Sequence, residues 1–176
     1  SDGTKFLVLG GTTAALTGLF LDAQGAALGD PFAIAHQTQY FMHIGGVQAA
    51  YGGGTFVVVW EEYNSAAQDH DRRSAVVSPE GVVGAVSTFS TDQSKARNSS
   101  LAFDGTDFRF VYDGNISALN TATITTAGAV SSGGTLTTNG SSSAVTSTPN
   151  GVAYAWATPR INLIEPELYV RLPGVA

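Results

Sequence analysis

Gly52-Gly-Gly-Thr-Phe-Val-Val-Val-Trp60 joins three glycines to an unbroken run of β-branched and aromatic residues. Glycine tolerates positive φ angles, so the first three residues predict a tight turn. Thr, Phe, Val and Trp favour strands, and an apolar run without polar alternation is typical of a strand that is buried on both faces. The stretch therefore predicts a turn that leads into the central strand of a sheet packed between two others.

Three further segments share this frame of a turn, an apolar run and a closing position. They occupy residues 2–10, 104–112 and 149–156, and the last is one residue shorter. The closing positions lie 50, 52 and 44 residues apart, close to the spacing of about 45–50 residues between four-stranded propeller blades. The closing residues are Gly10, Trp60, Tyr112 and Trp156, and four positions earlier stand Phe6, Phe56, Phe108 and Val152.

A second motif, a β-rich run that ends in a glycine turn, follows each of these segments. It occupies residues 19–25, 75–81, 123–128 and 169–174. Ser-Pro-Glu-Gly at 78–81 has the proline and glycine positions of a type I turn. The second repeat predicts strands over 47–51, 55–60, 72–77 and 82–88, and the third predicts strands over 99–103, 108–112, 119–125 and 130–137.

Two motifs that agree on one period predict an all-β fold, a β-propeller-like array of about four small four-stranded antiparallel sheets. No window sustains the 3.6-residue apolar stripe and the capping residues of a helix. The chain is then a single repeat domain over 1–176, with repeats at about 1–45, 46–97, 98–142 and 143–176.

These motifs resemble the repeats of secreted bacterial β-propeller proteins. The resemblance rests on Gly-Gly-Gly-Thr-Phe-Val-Val-Val-Trp-Glu-Glu at 52–62, on Ser-Pro-Glu-Gly at 78–81 and on Asp-Gly-Thr-Asp-Phe at 104–108. It implies a propeller fold and an exported location, extracellular or at the cell surface, rather than a particular reaction. Gly10 departs from the pattern, because the other repeats have an aromatic residue there.

The outer repeats are each expected to lack a strand. The first begins at the turn before a second strand, and the last stops after a third. A closed four-bladed ring would need about 16 strands, whereas the pattern predicts roughly 14. Three explanations remain open: a fragment of a larger propeller, a homo-oligomer in which another chain supplies strands, and trimmed outer blades. Unpaired sheet edges favour strand addition from a partner.

Composition excludes several classes of function. Fourteen acidic residues against eight basic ones give a net charge of −6, which would repel a phosphate backbone, so no nucleic-acid partner is expected. The chain has no cysteine for a disulfide or a thiolate zinc site, and it has no apolar run of about 18 residues, so no membrane span is expected. No charged residue lies between Asp113 and Arg160, which indicates either a surface for packing against other subunits or polar loops.

The pair Glu61–Glu62 is the first candidate for chemistry. Two carboxylates about 5–9 Å apart can cleave a glycosidic bond, but neighbours on a strand point to opposite faces. A second carboxylate would therefore have to come from elsewhere, for example Asp22, Asp71 or Asp113. The favoured interpretation is that Glu61 and Glu62 are solvated acids at a strand end, and we predict no catalytic residue.

Aromatic residues at equivalent repeat positions are the candidates for binding. Aromatic rings can stack on sugar rings, although the same residues can equally fill the layers between sheets, and the latter interpretation is favoured. Charged and aromatic neighbours at the strand ends are better candidates for exposed contacts. The full set of predicted binding residues is Trp60, Glu62, Tyr63, Tyr112, Asp113, Trp156 and Arg160.

No metal and no cofactor are predicted. His36, His43 and His70 are scattered without a metal-binding spacing. Asp-His-Asp-Arg at 69–72 offers hard ligands, but it lacks the ligand spacing of an EF-hand calcium loop, so a solvated loop is the favoured interpretation. Phosphate-binding loops and nucleophile elbows have no match in the chain.

Three hypotheses about function follow. The favoured one is a non-catalytic exported β-propeller module for surface recognition, binding a glycan or a surface protein, or for adhesion. The second is a structural subunit of an extracellular filament, layer or sheath, completed by strand exchange between chains. The third is a propeller enzyme similar to glycoside hydrolases, with carboxylates gathered near the axis.

Overall fold

The computed structural model describes residues 1–12, 15–36, 44–64, 69–92, 98–114, 118–158 and 167–174. Within these ranges the chain forms fourteen β-strands and no helix, and hence no helical membrane span. The strands are β1 (Lys5–Gly11), β2 (Ala15–Asp22), β3 (Phe32–His36), β4 (Ile44–Gly52), β5 (Thr55–Asn64), β6 (Asp69–Val77), β7 (Ser87–Asp92), β8 (Ser99–Phe103), β9 (Phe108–Asp113), β10 (Leu119–Ile124), β11 (Val130–Thr137), β12 (Ser141–Thr148), β13 (Gly151–Thr158) and β14 (Glu167–Arg171).

The strands form four antiparallel sheets, and each sheet uses strands that are consecutive in the sequence. The first sheet contains β1–β3, the second β4–β7, the third β8–β11 and the fourth β12–β14. Each sheet packs against the next, and over the described ranges the array does not close into a ring. The prediction of an all-β, propeller-like array of small antiparallel sheets is confirmed. The first and fourth sheets have three strands each among the described residues.

Strand β5 is covered on both of its faces. Its side chains alternate, so that Phe56, Val58 and Trp60 pack with the first sheet, whereas Val57 and Val59 pack with the third. All five side chains are at most 1% exposed. Since burial of one such side chain stabilises the fold by about 1.5–3 kcal/mol, this strand contributes to two inter-sheet layers at once.

The third sheet repeats this arrangement. Phe108 and Phe110 of β9 face the second sheet, whereas Val111 packs with Leu119 and Val145 in the layer shared with the fourth sheet. Two consecutive central strands therefore bury both faces, as the apolar run at 52–60 predicts.

Phe6 stands at the same repeat position as Phe56 and Phe108, but its side chain is much more exposed. Phe56 and Phe108 are almost fully buried against the preceding sheet, whereas Phe6 is 48% exposed. No sheet formed by the described residues covers this face of the first sheet. The burial of a repeat position thus depends on its neighbouring sheet and not on its residue type.

The strand predicted over 82–88 is wrong in its position. Strand β7 spans Ser87–Asp92, and most of 78–86 forms a connection with one isolated bridge between Val77 and Val83. The turn at 78–81 is followed by a hydrogen bond from the Gly84 amide to the Val76 carbonyl, which keeps the chain beside β6 before it enters β7. The apolar residues at 82–86 therefore lie in a turn region rather than in a ladder.

Gly52 lets the second and third sheets approach closely. A Cβ atom at this position would lie 2.0–2.5 Å from ring atoms of Phe103, the last residue of β8. Phe103 also packs its ring against Phe108, with centroids 5.0 Å apart, so it has little freedom to move aside. The end of β4 therefore requires a residue without a side chain.

Gly52→Ala is expected to lower the free energy of unfolding by about 1–3 kcal/mol, because the added methyl group overlaps the Phe103 ring. Urea denaturation monitored by tryptophan fluorescence measures the change. Gly10→Ala is the matched control, since its new methyl group would meet Thr17 Oγ1 at an ordinary 3.6 Å. The control should be neutral or slightly stabilising, and equal midpoints for the two variants would contradict this packing.

Candidate functional site

Glu61 and Glu62 lie near the C-terminal end of β5. Strand alternation turns Glu61 toward the third sheet and Glu62 toward the first. Both are buried, at 8% and 3% exposed. The interpretation of the two as solvated acids is wrong, because the neighbouring sheets cover both faces of this strand end.

Glu61 belongs to a buried charged cluster between the second and third sheets. Its Oε1 lies 2.8 Å from His70 Nδ1, and its Oε2 lies 4.0 Å from Arg72 Nη2. Arg72 is 1% exposed and donates from Nη2 to the backbone carbonyl of Asp113 at 2.8 Å. Its guanidinium also lies over the Tyr112 ring, 4.8 Å from the centroid. Arg72 therefore links β6 to β9 of the next sheet.

Glu62 belongs to a separate cluster on the opposite face of the second sheet. Trp60 Nε1 donates to Glu62 Oε1 at 2.8 Å. Arg73 Nε lies 3.2 Å from Glu62 Oε2, and Arg73 Nη2 lies 3.3 Å from Asp71 Oδ2. Every carboxylate oxygen of Glu62 thus has a protein partner, which is what a buried charge requires.

The segment 69–72 is not a solvated loop, so that interpretation is wrong. Its residues open strand β6, and the pairing with β5 continues to Asp69 opposite Asn64. His70 is 5% exposed and also packs on the ring of Tyr63, with centroids 4.8 Å apart. No cluster of three metal-ligating side chains occurs in the part of the chain that the structure describes.

The other predicted binding residues lie in different environments. Trp60 and Tyr112 fill inter-sheet layers and offer almost no surface to a ligand. Asp113 accepts hydrogen bonds from the amide and the side chain of Asn98 at 3.2 and 3.3 Å. Trp156 is half-buried in the fourth sheet and stacks on Tyr169 with centroids 5.8 Å apart. Arg160 lies outside the described residues.

The structure therefore brings most of the predicted residues together at one end of the second and third sheets. There they contact buried side chains, and they stabilise the packing of the sheets. Glu62 holds Trp60, Tyr63 covers His70, and Tyr112 and Asp113 hold Arg72. Glu61 and Glu62 face different sheets, so they cannot act on one glycosidic bond.

A cavity of about 610 Å³ lies between the third and fourth sheets. The third sheet contributes residues of β9, β10 and β11, and the fourth contributes residues of β13, β14 and the turn after β14. Its size is within the range of about 300–1,000 Å³ that small-molecule sites occupy. The polar lining residues are Asp104, Arg109, Thr121, Thr123, Thr135, Tyr154 and Arg171.

An ion pair fixes one wall of this cavity. Arg109 Nε donates to Asp104 Oδ2 at 2.7 Å, and its Nη1 donates to the hydroxyl of Thr123. Burial alone would raise the pKa of Asp104, but hydrogen bonds from the amide of Asp107, from Arg109 and from the amide of Thr106 outweigh it and lower the pKa. Asp104 therefore stays ionised at neutral pH.

Tyr154 and Arg171 form the opposite wall. They are register partners on β13 and β14. Burial raises the pKa of the Tyr154 phenol, so the group remains a neutral hydroxyl that can donate a hydrogen bond. None of the described carboxylates lies within ion-pair distance of Arg171.

Sequence reasoning missed every residue of this cavity as a binding residue. The uncharged segment that follows Asp113 supplies Thr121, Thr135 and Tyr154, and the structure places most of it in β10–β13 rather than in loops. The available signal was that this hydroxyl-rich segment lies between Arg109 and Arg171 in the sequence. Nothing in the spacing shows that the two arginines face one cavity.

Comparison with known proteins supports the fold alone. No protein-family model matches the chain, and neither does any curated protein sequence. Among solved structures, the GH43 endo-arabinanase from Bacillus licheniformis is similar, with a TM-score of 0.52 and 12% sequence identity. The match covers 97% of this chain and 67% of that chain. The chain therefore has a β-propeller-like fold, and an identity this low says nothing about its activity.

Arg72→Lys is expected to lower the free energy of unfolding by about 1.5–3 kcal/mol, because lysine keeps the charge but lacks the planar fork that reaches the Asp113 carbonyl. Urea denaturation measures this loss. Arg171→Lys is the matched control on an exposed strand, and it should change stability by less than about 0.5 kcal/mol. A similar loss in both variants would show that Arg72 does not link the two sheets.

Proposed function

We propose that this chain is a non-catalytic, exported β-propeller module that recognises a glycan in the cavity between its third and fourth sheets. The observation that carries the proposal is the lining of that cavity, which combines hydroxyls, a partly buried ion pair and donors that lack a described protein partner. Sugars present dense hydroxyl groups and need such mixed donors and acceptors. A concave site of this size suits a glycan better than it suits the flat surface of a folded protein.

The contacts of the conspicuous carboxylates favour a binding function over hydrolysis. Glu61, Glu62 and Asp113 all have partners that hold the fold together, namely His70, Trp60 and Asn98 respectively. A hydrolase would need an acid and a second carboxylate that face one substrate. The exported location is part of the proposal, and it rests on the resemblance of the motifs at 52–62 and 78–81 to secreted repeats.

Thr135→Trp is expected to abolish saturable binding on a glycan array, because the indole would occupy the cavity that Thr135 lines. Thr146→Trp is the matched control, since Thr146 is an exposed strand threonine outside the cavity lining. Both variants should retain the wild-type Tm.

The glycans that bind are then incubated with the wild-type protein and assayed for new reducing ends. We expect none. Turnover that disappears in Glu62→Gln or Asp113→Asn, in variants that keep the wild-type Tm, would overturn the non-catalytic proposal. Equal glycan binding by the two tryptophan variants would show that the cavity is not the binding site.

A second candidate function, structural assembly, is favoured by two exposed apolar faces. Phe6 and Val8 are 48% and 44% exposed on the face of the first sheet that points away from the second. Leu168 and Val170 are 75% and 59% exposed on the face of the fourth sheet that points away from the third. Exposed apolar patches mark interaction surfaces. A head-to-tail contact between copies would bring these two faces together.

If assembly is the function, the protein should form larger species as its concentration rises in light scattering, and Val170→Asp should return it to one chain of 18.1 kDa. Val82→Asp is the control, because Val82 is 69% exposed but lies on neither face. A single-chain mass at all concentrations would count against assembly, and so would equal effects of the two substitutions.

A further inference from the structure

The cavity between the third and fourth sheets carries a surplus of positive charge. Asp104 is neutralised by its ion pair with Arg109, and Arg171 adds a second guanidinium. The chain as a whole has a net charge of −6. A cationic cavity in an acidic protein attracts an anionic ligand group locally, while the rest of the surface does not bind polyanions non-specifically.

The geometry points to a carboxylate as the ligand group that this cavity binds. We propose that the module selects acidic glycans, and that Arg109 and Arg171 bind the carboxylate of a uronic acid residue. This inference rests on the proposed function, because it names the class of glycan for the same site.

Arg109 is held in one orientation before any ligand arrives. Two of its donors are committed, Nε to Asp104 and Nη1 to Thr123. A guanidinium has five N–H groups, so others remain, and none of the described residues accepts a hydrogen bond from Nη2. A fixed planar fork with free donors matches the geometry of a carboxylate.

Arg171 and Tyr154 supply further donors on the other wall. Their register pairing places both on neighbouring strands of the fourth sheet. The phenol remains protonated, and no described residue accepts its hydrogen bond. A carboxylate between the two walls would then meet donors from both sheets, which fixes its position as well as its charge.

The rest of the lining fits a sugar ring. The hydroxyls of Thr121 and Thr135 donate to the Gly134 carbonyl and to Asn120 Oδ1, so toward a sugar they can act as acceptors. Val152 and Leu172 add apolar surface to the lining. Sugar rings have polar edges and apolar faces, so a site for them needs both kinds of surface. An acidic peptide would share the carboxylate but would not use the hydroxyl-lined wall, and it is tested below as a competing ligand.

The experiment compares matched ligands that differ only in charge. Oligomers of galacturonate, glucuronate and mannuronate are titrated calorimetrically, each beside its methyl ester, together with neutral oligosaccharides and a peptide of alternating Asp and Gly. At least one acidic oligomer should bind at least tenfold more tightly than its ester. Rising salt concentration should weaken the binding of the acid form and not that of the ester.

Arg171→Gln should weaken binding of the acidic oligomer by about tenfold to a hundredfold, the range expected when a charge-assisted hydrogen bond is lost, and Arg171→Lys should recover part of the loss. Lys5→Gln removes the same unit of charge from the first sheet, far from the cavity lining, and should leave binding unchanged. An equal loss in Lys5→Gln would mean that net charge rather than the cavity is responsible.

The outcomes separate the inference from the proposed function. Equal binding of acids and esters, or binding of neutral oligosaccharides alone, would overturn the acidic-sugar inference and leave glycan recognition standing. Absence of binding to every sugar would overturn both. Tighter binding of the Asp-Gly peptide than of any uronate would assign the carboxylate site to a protein ligand instead.

Discussion

Small sheets packed face to face hold this molecule together. A sheet of three or four strands has two apolar faces and cannot bury either of them by itself. In the second sheet, Val57 and Val58 point in opposite directions and are both fully buried, because a neighbouring sheet lies on each side. Stability therefore comes from the layers between sheets, and a change such as a methyl group at Gly52 acts on two sheets at once.

The same constraint explains why the conspicuous acidic residues are structural. A strand that is covered on both faces also buries its polar end, so Glu61 and Glu62 each need a cationic or hydrogen-bonding partner. Arg72 and Arg73 are adjacent on β6 and serve opposite faces. Glu61 and Glu62 therefore cannot act together on one side of a substrate. The recognition that we propose needs only a gap between sheets with suitable lining.

The cavity between the third and fourth sheets is such a gap. Its walls come mainly from the uncharged segment, where even a methyl group added to a lining glycine would displace a neighbouring side chain. At Gly133, for instance, a Cβ atom would lie 2.4 Å from Thr121 Oγ1. Among the described lining residues, the charged ones are Asp104, Arg109 and Arg171. A site that is otherwise neutral can thus respond strongly to one charged group on a ligand.

The architecture could be predicted from the sequence. The period of the motifs, the turn glycines and the two-faced apolar run at 52–60 predict small stacked sheets, and the strands of the third repeat lie within a residue of their predicted bounds. The sequence did not determine which polar residues are exposed. Glu61 and the segment 69–72 look like solvent-facing groups, and Arg109 and Arg171 are 62 residues apart. The structure shows that Glu61 and His70 are buried as partners and that Arg109 and Arg171 line one cavity. Burial and proximity between sheets depend on how the faces of different repeats pack together. The strand pattern within one repeat does not contain that information.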